Sequence, residues 1–234
     1  MKPAAVLKRL WRDRQAAALI EFAFMLPLVM YLGGAGIEFA NYGLSQMRIS
    51  QVAMTLADNA SRVGLASTLA TTQIRETDIN DIFSGVRLQS NGIKLTTYGR
   101  VTISSLEYVP QTYDVLPVQR IHWQRCLGKR SGAGYDSSYG TTTTAAGTTA
   151  TLANAGTVST GMGDSNPQVS APLGYGVMFV EINYDYQALF GTLYVKPMLI
   201  HYVASYVVRD TRDYSMIYNP APTATRSTCN LYTT

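Results

Sequence analysis

Residues 16–40 read AAALIEFAFMLPLVMYLGGAGIEFA, an apolar run that is interrupted after five positions by the carboxylate of Glu21. A helix of this length, at about 1.5 Å per residue, can cross the hydrocarbon core of a membrane, which is about 30 Å thick. A carboxylate inside such a helix costs about 2.5–3.5 kcal/mol on insertion scales and usually has a function. The run predicts a transmembrane helix over residues 17–40. The alternative for Glu21 is a place near the cytoplasmic interface, where its side chain reaches water.

A basic head precedes this run and sets the expected topology. Residues 1–15 hold five basic side chains and one acidic side chain, which account for the net charge of +4. Basic residues that flank a first span remain in the cytoplasm, so we expect residues 1–16 to be cytoplasmic and the chain after Ala40 to be extracytoplasmic. Because that remainder carries no net charge, a basic groove for nucleic acid is not expected.

A secretory signal peptide is the alternative interpretation of the head and the apolar run. The run is longer than the usual apolar region of about 7–15 residues in such peptides. It also does not end in a small-x-small cleavage site followed by polar residues, because Ile37, Glu38 and Phe39 continue the helical pattern. The sequence therefore favours a retained single span.

The helix is expected to continue past the span as an amphipathic extension over residues 41–70. Its apolar residues recur at the i, i+3, i+4 spacing of one helix face. Gly64 is the expected C-terminal breaker, with fraying to about residue 70. Pro27 is expected to kink the helix or to be a tolerated residue within it. The small residues Gly33, Gly34 and Gly36 allow another helix to approach closely.

Residues 71–234 have the pattern of an α+β domain. A short helix is predicted over 77–84, with Thr77 as N-cap and Gly85 as the stop. Strands are predicted where β-branched and aromatic residues alternate with polar ones, at 93–109, 118–125, 175–187 and 198–209. We expect an antiparallel sheet that is covered on one face by the amphipathic helix, with Val180 and Ile182 on the apolar face and Phe179 and Glu181 opposite. The tail after Asn219 is expected to be an extended edge segment.

Residues 128–172 interrupt this pattern with a composition dominated by Gly, Ser, Thr and Ala. Such a segment buries too little apolar surface to offset the entropy of ordering it. The composition therefore predicts a flexible loop without secondary structure.

The chain contains two cysteines, Cys126 and Cys229, both in the part expected outside the cytoplasm. An oxidising compartment permits a disulfide between them, and two unpaired thiols are the alternative. Their number and spacing do not match a zinc site.

Catalytic motifs are absent from the sequence. It has no G-x-S-x-G, no H-E-x-x-H and no phosphate-binding glycine loop. His122 and His201 lie in strand patterns and are expected to be packed or half-exposed, while Asp210 and Asp213 alternate with arginines as a solvated ion-pair cluster. We expect no enzymatic activity, no cofactor and no metal.

The stretch RDRQAAALIEF resembles a class III signal, which a prepilin peptidase cuts at the cytoplasmic face. More widely, RDRQAAALIEFAFMLPLVMYLGGAGIEFANY is similar to the N-terminal signature of the TadE/TadG-like family of tight-adherence (Flp) pilus assembly proteins. The matching features are an arginine-rich head, a small-residue step, E-F, a proline in the span, and G-x-E-F where the span ends. The C-terminal FVEINYDYQALFG and the strand ending VVRD are a weaker match.

The resemblance implies a pseudopilin-like protein and assigns roles to its residues. Cleavage between Ala16 and Ala17 would make Glu21 and Phe22 the fifth and sixth residues of the mature chain. In pilin-like proteins this glutamate is implicated in subunit packing, where it meets the N-terminal amine of a neighbour; Phe22, Pro27, Gly33, Gly34 and Gly36 would share that packing surface. Pilin-type sites usually have glycine before the cut, so an uncut anchor is the alternative. Glu38 and Phe39 form the motif at the end of the span, where Glu38 is expected at the interface without a special role.

Two functions from different classes follow. The first is a minor pseudopilin or assembly factor of a bacterial tight-adherence pilus. It would be held in the inner membrane with its N-terminus cytoplasmic and its domain periplasmic, and its partners would be pilus subunits and other assembly proteins, with or without a prepilin peptidase. The second is a membrane-tethered periplasmic binding module for glycan or peptide, with the Gly/Thr/Ser-rich loop at its site. A tethered hydrolase is the weakest alternative because no nucleophile–base pattern is present.

Overall fold

The computed structural model describes residues 14–64, 71–164 and 166–234, with side chains from residue 17 onward. Its helices are α1 (Arg14–Arg62), α2 (Glu76–Ser90) and α3 (Leu95–Tyr98), with short 3₁₀ helices at Asn91–Ile93 and Leu152–Asn154. Its strands are β1 (Gly99–Glu107), β2 (Arg120–Leu127), β3 (Thr157–Val158), β4 (Gly176–Asp185) and β5 (Leu199–Val207). The strands form a five-stranded antiparallel sheet in the order β3-β2-β1-β4-β5. The α+β class, with a long apolar N-terminal helix ahead of an antiparallel sheet, is confirmed.

The described chain divides into two compact units. The first, which we call the helix–loop unit, comprises α1 up to Leu44 together with the segment Ala188–Lys196. The second, the sheet unit, comprises residues 45–187 and 197–234. The expected head at residues 1–16 has no described side chains, and the last part of the expected extension 41–70 also lies outside the described residues.

α1 runs without interruption through Pro27 and ends at Arg62. Two residues later, Gly64 has a φ of +153°, in the region that favours glycine. The guanidinium of Arg212, which is buried, donates hydrogen bonds to the carbonyls of Ala60, Ser61 and Val63. These are the carbonyls that a helix end leaves without partners inside the helix. The expectation that this arginine belongs to a solvated cluster is therefore wrong.

One face of the sheet carries apolar residues that pair across β1 and β4. Val101 lies opposite Ile182, and Ile103 lies opposite Val180. All four are fully buried. Helical residues of the sheet unit are buried as well: Ile49, Val52, Ala53, Leu56, Ala57 and Ala60 of α1, and Ile79, Phe83 and Val86 of α2.

The opposite face of the sheet is also buried, although the sequence predicted a one-sided sheet. Leu106, Val177 and Phe179 form a core cluster there with Met162 and Ala171 of the segment 128–172. That segment contains a 3₁₀ helix, the edge strand β3 and a bridge between Met162 and Val169. The prediction of a loop without secondary structure is wrong, because its few apolar residues cover a sheet face that would otherwise be exposed.

α2 is longer than predicted at both ends. It begins after Arg75 because the Asp78 carboxylate accepts a hydrogen bond from the Arg75 backbone N–H at 2.9 Å, so Thr77 is not the N-cap. It continues past Gly85 to Ser90, since Phe83 and Val86 are buried on one face and stabilise the helix across the glycine. Similarly, α3 replaces the beginning of the strand that was predicted over 93–109.

Candidate functional site

The N-terminal part of α1 exposes nearly all of its apolar surface. The helix is long and apolar enough to cross a membrane, and its most apolar stretch is not buried anywhere in the described fold. Its exposed large residues include Leu19, Phe22, Phe24, Met25, Leu28, Met30 and Leu32. By length and composition, a membrane span and a signal sequence both fit this helix. In either case the surface requires an apolar environment that the part of the chain described by the structure does not provide.

The side chain of Ala16 lies outside the described residues. The other residues predicted for processing and packing lie on this exposed surface, except for one. Ala17, Glu21 and Phe22 are exposed, and the space beside Gly33 and Gly36 is open. Gly34 differs, because a Cβ there would overlap the hydroxyl of Tyr194. Its small size is therefore needed for a contact within this chain, whereas Gly33 and Gly36 remain open to a neighbour.

Glu38 is fully buried, although Phe39 beside it is 62% exposed. The Glu38 carboxylate accepts hydrogen bonds from the backbone N–H of Leu189 at 3.1 Å and of Phe190 at 3.0 Å. Charge-assisted bonds to backbone donors are roughly twice as strong as neutral ones. The expectation that Glu38 needs no special role is wrong, because this carboxylate fixes a distant segment of the chain on α1.

That segment, Ala188–Lys196, connects β4 to β5, and we call it the apolar loop. Its Tyr194 ring lies 5.2 Å from the ring of Tyr31 on α1 and 5.6 Å from the ring of Phe190, centroid to centroid. Tilted and edge-to-face pairs at such distances are favourable aromatic contacts. Together with Glu38 and Gly34, these contacts hold the apolar loop along one side of α1.

The sequence of the apolar loop has a length and a composition that the pattern of the two adjoining strands does not explain. ALFGTLYVKP is too long for a tight hairpin and is rich in large apolar residues, whereas connections between strands usually run over the surface and are polar. The unusual composition could have marked the loop as a contact element. Its partner on α1 could not be identified without the structure.

The sheet unit contains a second candidate site, a cavity of about 280 Å³. It is lined by Thr141–Thr144 together with Gln124, Asp136, Asn230 and Tyr232. The disulfide between Cys126 and Cys229 forms part of its wall and joins β2 to the C-terminal tail. The C-terminal tail runs as an edge segment beside the end of β2. The backbone N–H of Cys126 donates to the carbonyl of Ser227, and the backbone N–H of Gly128 donates to the carbonyl of Thr233. Most of the residues that line the cavity are polar, and Tyr232 is the single aromatic residue among them.

The buried charges of the sheet unit are paired. The Arg125 guanidinium binds the Glu76 carboxylate, with Nε donating to Oε2 at 2.9 Å, and both side chains are almost fully buried. His122 Nδ1 lies 2.8 Å from Oε2 of Glu107. Burial lowers the pKa of His122, but the charge and the hydrogen bond of Glu107 outweigh burial, so the pKa is raised overall. These pairs join secondary-structure elements, and His122 and Glu107 also line a small cavity of about 10 Å³.

His201 is half-exposed and lies within hydrogen-bond distance of two side chains. Its Nδ1 lies 2.6 Å from Oδ1 of Asn183, and its Nε2 lies 2.9 Å from the hydroxyl of Tyr139. Across the described residues, no group of three or more His, Cys, Asp or Glu side chains is placed to hold a metal ion.

Comparisons with protein-family models, with curated proteins and with solved structures find no match for this chain. Its function is therefore inferred from the exposed surface of α1, from the contacts of the helix–loop unit and from the cavity in the sheet unit.

Proposed function

We propose that this protein is a membrane-anchored component of pilus biogenesis, a minor pseudopilin or assembly factor of a bacterial tight-adherence pilus. The observation that carries the proposal is the exposed apolar stretch of α1 with Glu21 within it. Burying apolar surface contributes about 25 cal/mol per Å², so a lipid bilayer or the helices of other subunits would stabilise this stretch strongly. The resemblance of its N-terminal sequence to TadE/TadG-like proteins supports the assignment to a pilus.

The proposed topology places the basic head in the cytoplasm and the sheet unit in the periplasm. The basic residues at the N-terminal side of the span favour this orientation. The disulfide between Cys126 and Cys229 also supports it, because disulfides persist in oxidising compartments such as the bacterial periplasm.

Glu21 is the proposed subunit-packing residue. In this mechanism a prepilin peptidase cuts between Ala16 and Ala17, and the new amine of one subunit pairs with the Glu21 carboxylate of the next. Pairing two charges in a low-dielectric environment offsets part of the desolvation cost of each. Gly33 and Gly36, which have open space beside them, would let a neighbouring helix approach.

Two experiments test the proposal. Intact-mass measurement after co-expression with a prepilin peptidase should show loss of residues 1–16; an unchanged mass would reject the paired-amine mechanism and leave an uncut anchor. Glu21→Ala should reduce piliation, whereas Asp81→Ala, which removes an exposed carboxylate from the sheet unit, should not. Normal piliation in the Glu21→Ala strain, with equal protein levels on immunoblots, would show that this carboxylate is incidental.

The cavity in the sheet unit favours a second candidate function, a tethered binding module for glycan or peptide. Its hydroxyl and amide lining offers hydrogen bonds to a polar ligand, although only Tyr232 offers an aromatic face. Pili that assemble normally in a deletion strain, together with saturable binding of an oligosaccharide to the purified chain, would support this function over the first.

A further inference from the structure

The apolar loop exposes large hydrophobic side chains although it connects two strands of a sheet. Leu189 is 58% exposed, Phe190 45% and Leu193 64%. The three lie within five consecutive positions and adjoin the exposed apolar surface of α1 through Tyr194 and Glu38. A contiguous apolar patch of this kind indicates an interaction surface.

The contacts of the apolar loop fix its position along the axis of α1, which we call its height. Glu38 binds its first part, and Tyr31 contacts the ring of Tyr194. Tyr31 and Glu38 are seven positions apart, which corresponds to about 10 Å along a helix axis. The loop therefore lies beside α1 over about 10 Å, on the side of the helix that carries Tyr31, Gly34 and Glu38.

This height determines what surrounds the loop if α1 spans a membrane. Starting from Ala17, the hydrocarbon core of about 30 Å takes up about 20 residues and ends near Gly36. Tyr31 and Gly34, which contact Tyr194, then lie about 3–8 Å inside the hydrocarbon boundary. Sliding the helix toward the periplasm would expose the loop to water only by drawing Arg14 into the core, which is costly. Sliding it the other way places the loop deeper.

The backbone of the loop is suited to such a place. Non-helical backbone at membrane depth needs partners for its polar groups, because lipid provides none. The Glu38 carboxylate accepts hydrogen bonds from the N–H groups of Leu189 and Phe190 and is therefore the partner of two of these polar groups. The exposed Gln187 precedes the loop and the exposed Lys196 is its last residue; a lysine can extend its ammonium to the headgroups while its stem contacts apolar surface.

From this geometry we infer that the apolar loop inserts into the outer leaflet and forms a second, shallow membrane contact beside α1. The ligand is the phospholipid bilayer, which Leu189, Phe190 and Leu193 enter at the depth of the acyl-chain boundary. Glu38 acts as the positioning residue that holds the loop against the helix. The inference rests on the proposed membrane span, so its test includes a separate reporter for that span.

The test uses the full chain reconstituted in phosphatidylethanolamine–phosphatidylglycerol vesicles that contain lipids brominated at a shallow or a deep chain position. Three single variants each carry a new tryptophan: Leu193→Trp in the loop, Leu26→Trp in the span and Leu116→Trp on the sheet unit. All three positions are exposed, so the substitutions leave the core intact. The signal of the unsubstituted protein, which contains Trp11 and Trp123, is subtracted.

We expect Leu193→Trp to show blue-shifted emission that is quenched by the shallow bromines. Leu26→Trp should be quenched by the deep bromines, and Leu116→Trp should not be quenched. If Leu26→Trp is quenched and Leu193→Trp is not, the inference about the loop is overturned while the anchor stands; the loop then contacts water or a second protein. If Leu26→Trp is not quenched by either lipid, the proposed span itself is overturned.

Discussion

Replacing Glu38 with glutamine tests how the apolar loop is held on α1. Glutamine has nearly the same size and keeps one acceptor oxygen, but it removes the negative charge that receives the N–H groups of Leu189 and Phe190. The variant therefore weakens two charge-assisted hydrogen bonds without creating a cavity. We expect the loop to open more often while the sheet unit remains folded.

The size of the effect follows from the two bonds. A hydrogen bond to a charged group contributes about 1.5–3 kcal/mol and a neutral one about 0.5–1.5 kcal/mol, so each bond loses about 1–1.5 kcal/mol. Two bonds together lose about 2–3 kcal/mol. Since every 1.4 kcal/mol changes an equilibrium tenfold, amide exchange in the loop should accelerate by about 30- to 150-fold.

Hydrogen–deuterium exchange of the full chain in detergent micelles, read on peptides that cover Ala188–Lys196, measures this change. Glu21→Gln is the matched control, because it makes the same chemical change on the same helix, 17 positions away from Glu38. Exchange in the control should equal that of the parent protein. If Glu38→Gln also exchanges at the parental rate, the carboxylate does not hold the loop and the reasoning is refuted.

Three further predictions concern the sheet unit, each measured by urea unfolding in micelles. Cys229→Ser opens a loop of 103 residues and should lower the free energy of unfolding by up to about 4.7 kcal/mol; a loss below about 1 kcal/mol contradicts this. Arg125→Met leaves the buried Glu76 with only the partly exposed Arg226, 3.6 Å away, and should cost up to about 3–5 kcal/mol, most of it recovered when Glu76→Leu is added. Because the pKa of His122 is raised in the folded state, its pairing with Glu107 stabilises the fold fully below pH about 6.5, and this stabilisation is lost as pH rises through the raised pKa. His122→Gln should remove this pH dependence of the free energy of unfolding. An unchanged pH profile in the variant argues against the prediction.

Local sequence patterns predicted the regular elements well where neighbouring residues determine them. The strand predicted over 175–187 is β4, Gly176–Asp185, and the strand predicted over 198–209 is β5, Leu199–Val207. The apolar periodicity after Ala40 belongs to α1, whose buried stripe runs from Ile49 to Ala60. Periodicity is a property of adjacent turns or pleats, so a single stretch of sequence contains it.

The same reasoning failed for residues 128–172, because composition does not record what a segment covers. A few apolar residues among many Gly, Ser and Thr gave no periodic signal. In the structure, Met162 and Ala171 complete the core against Leu106 and Phe179. The need for that cover arises from a sheet face formed elsewhere in the chain.

For the candidate site, the sequence alone determined that a long apolar helix carries two carboxylates, Glu21 near its start and Glu38 near its end, because charge in an apolar run is visible residue by residue. Only the tertiary structure decided that the two differ. It leaves Glu21 exposed and buries Glu38 against the backbone of Leu189 and Phe190, some 150 positions further along the chain. The physical reason is that a hydrogen bond depends on distance in space, and the fold brings this loop and this helix together while their sequences show no sign of each other.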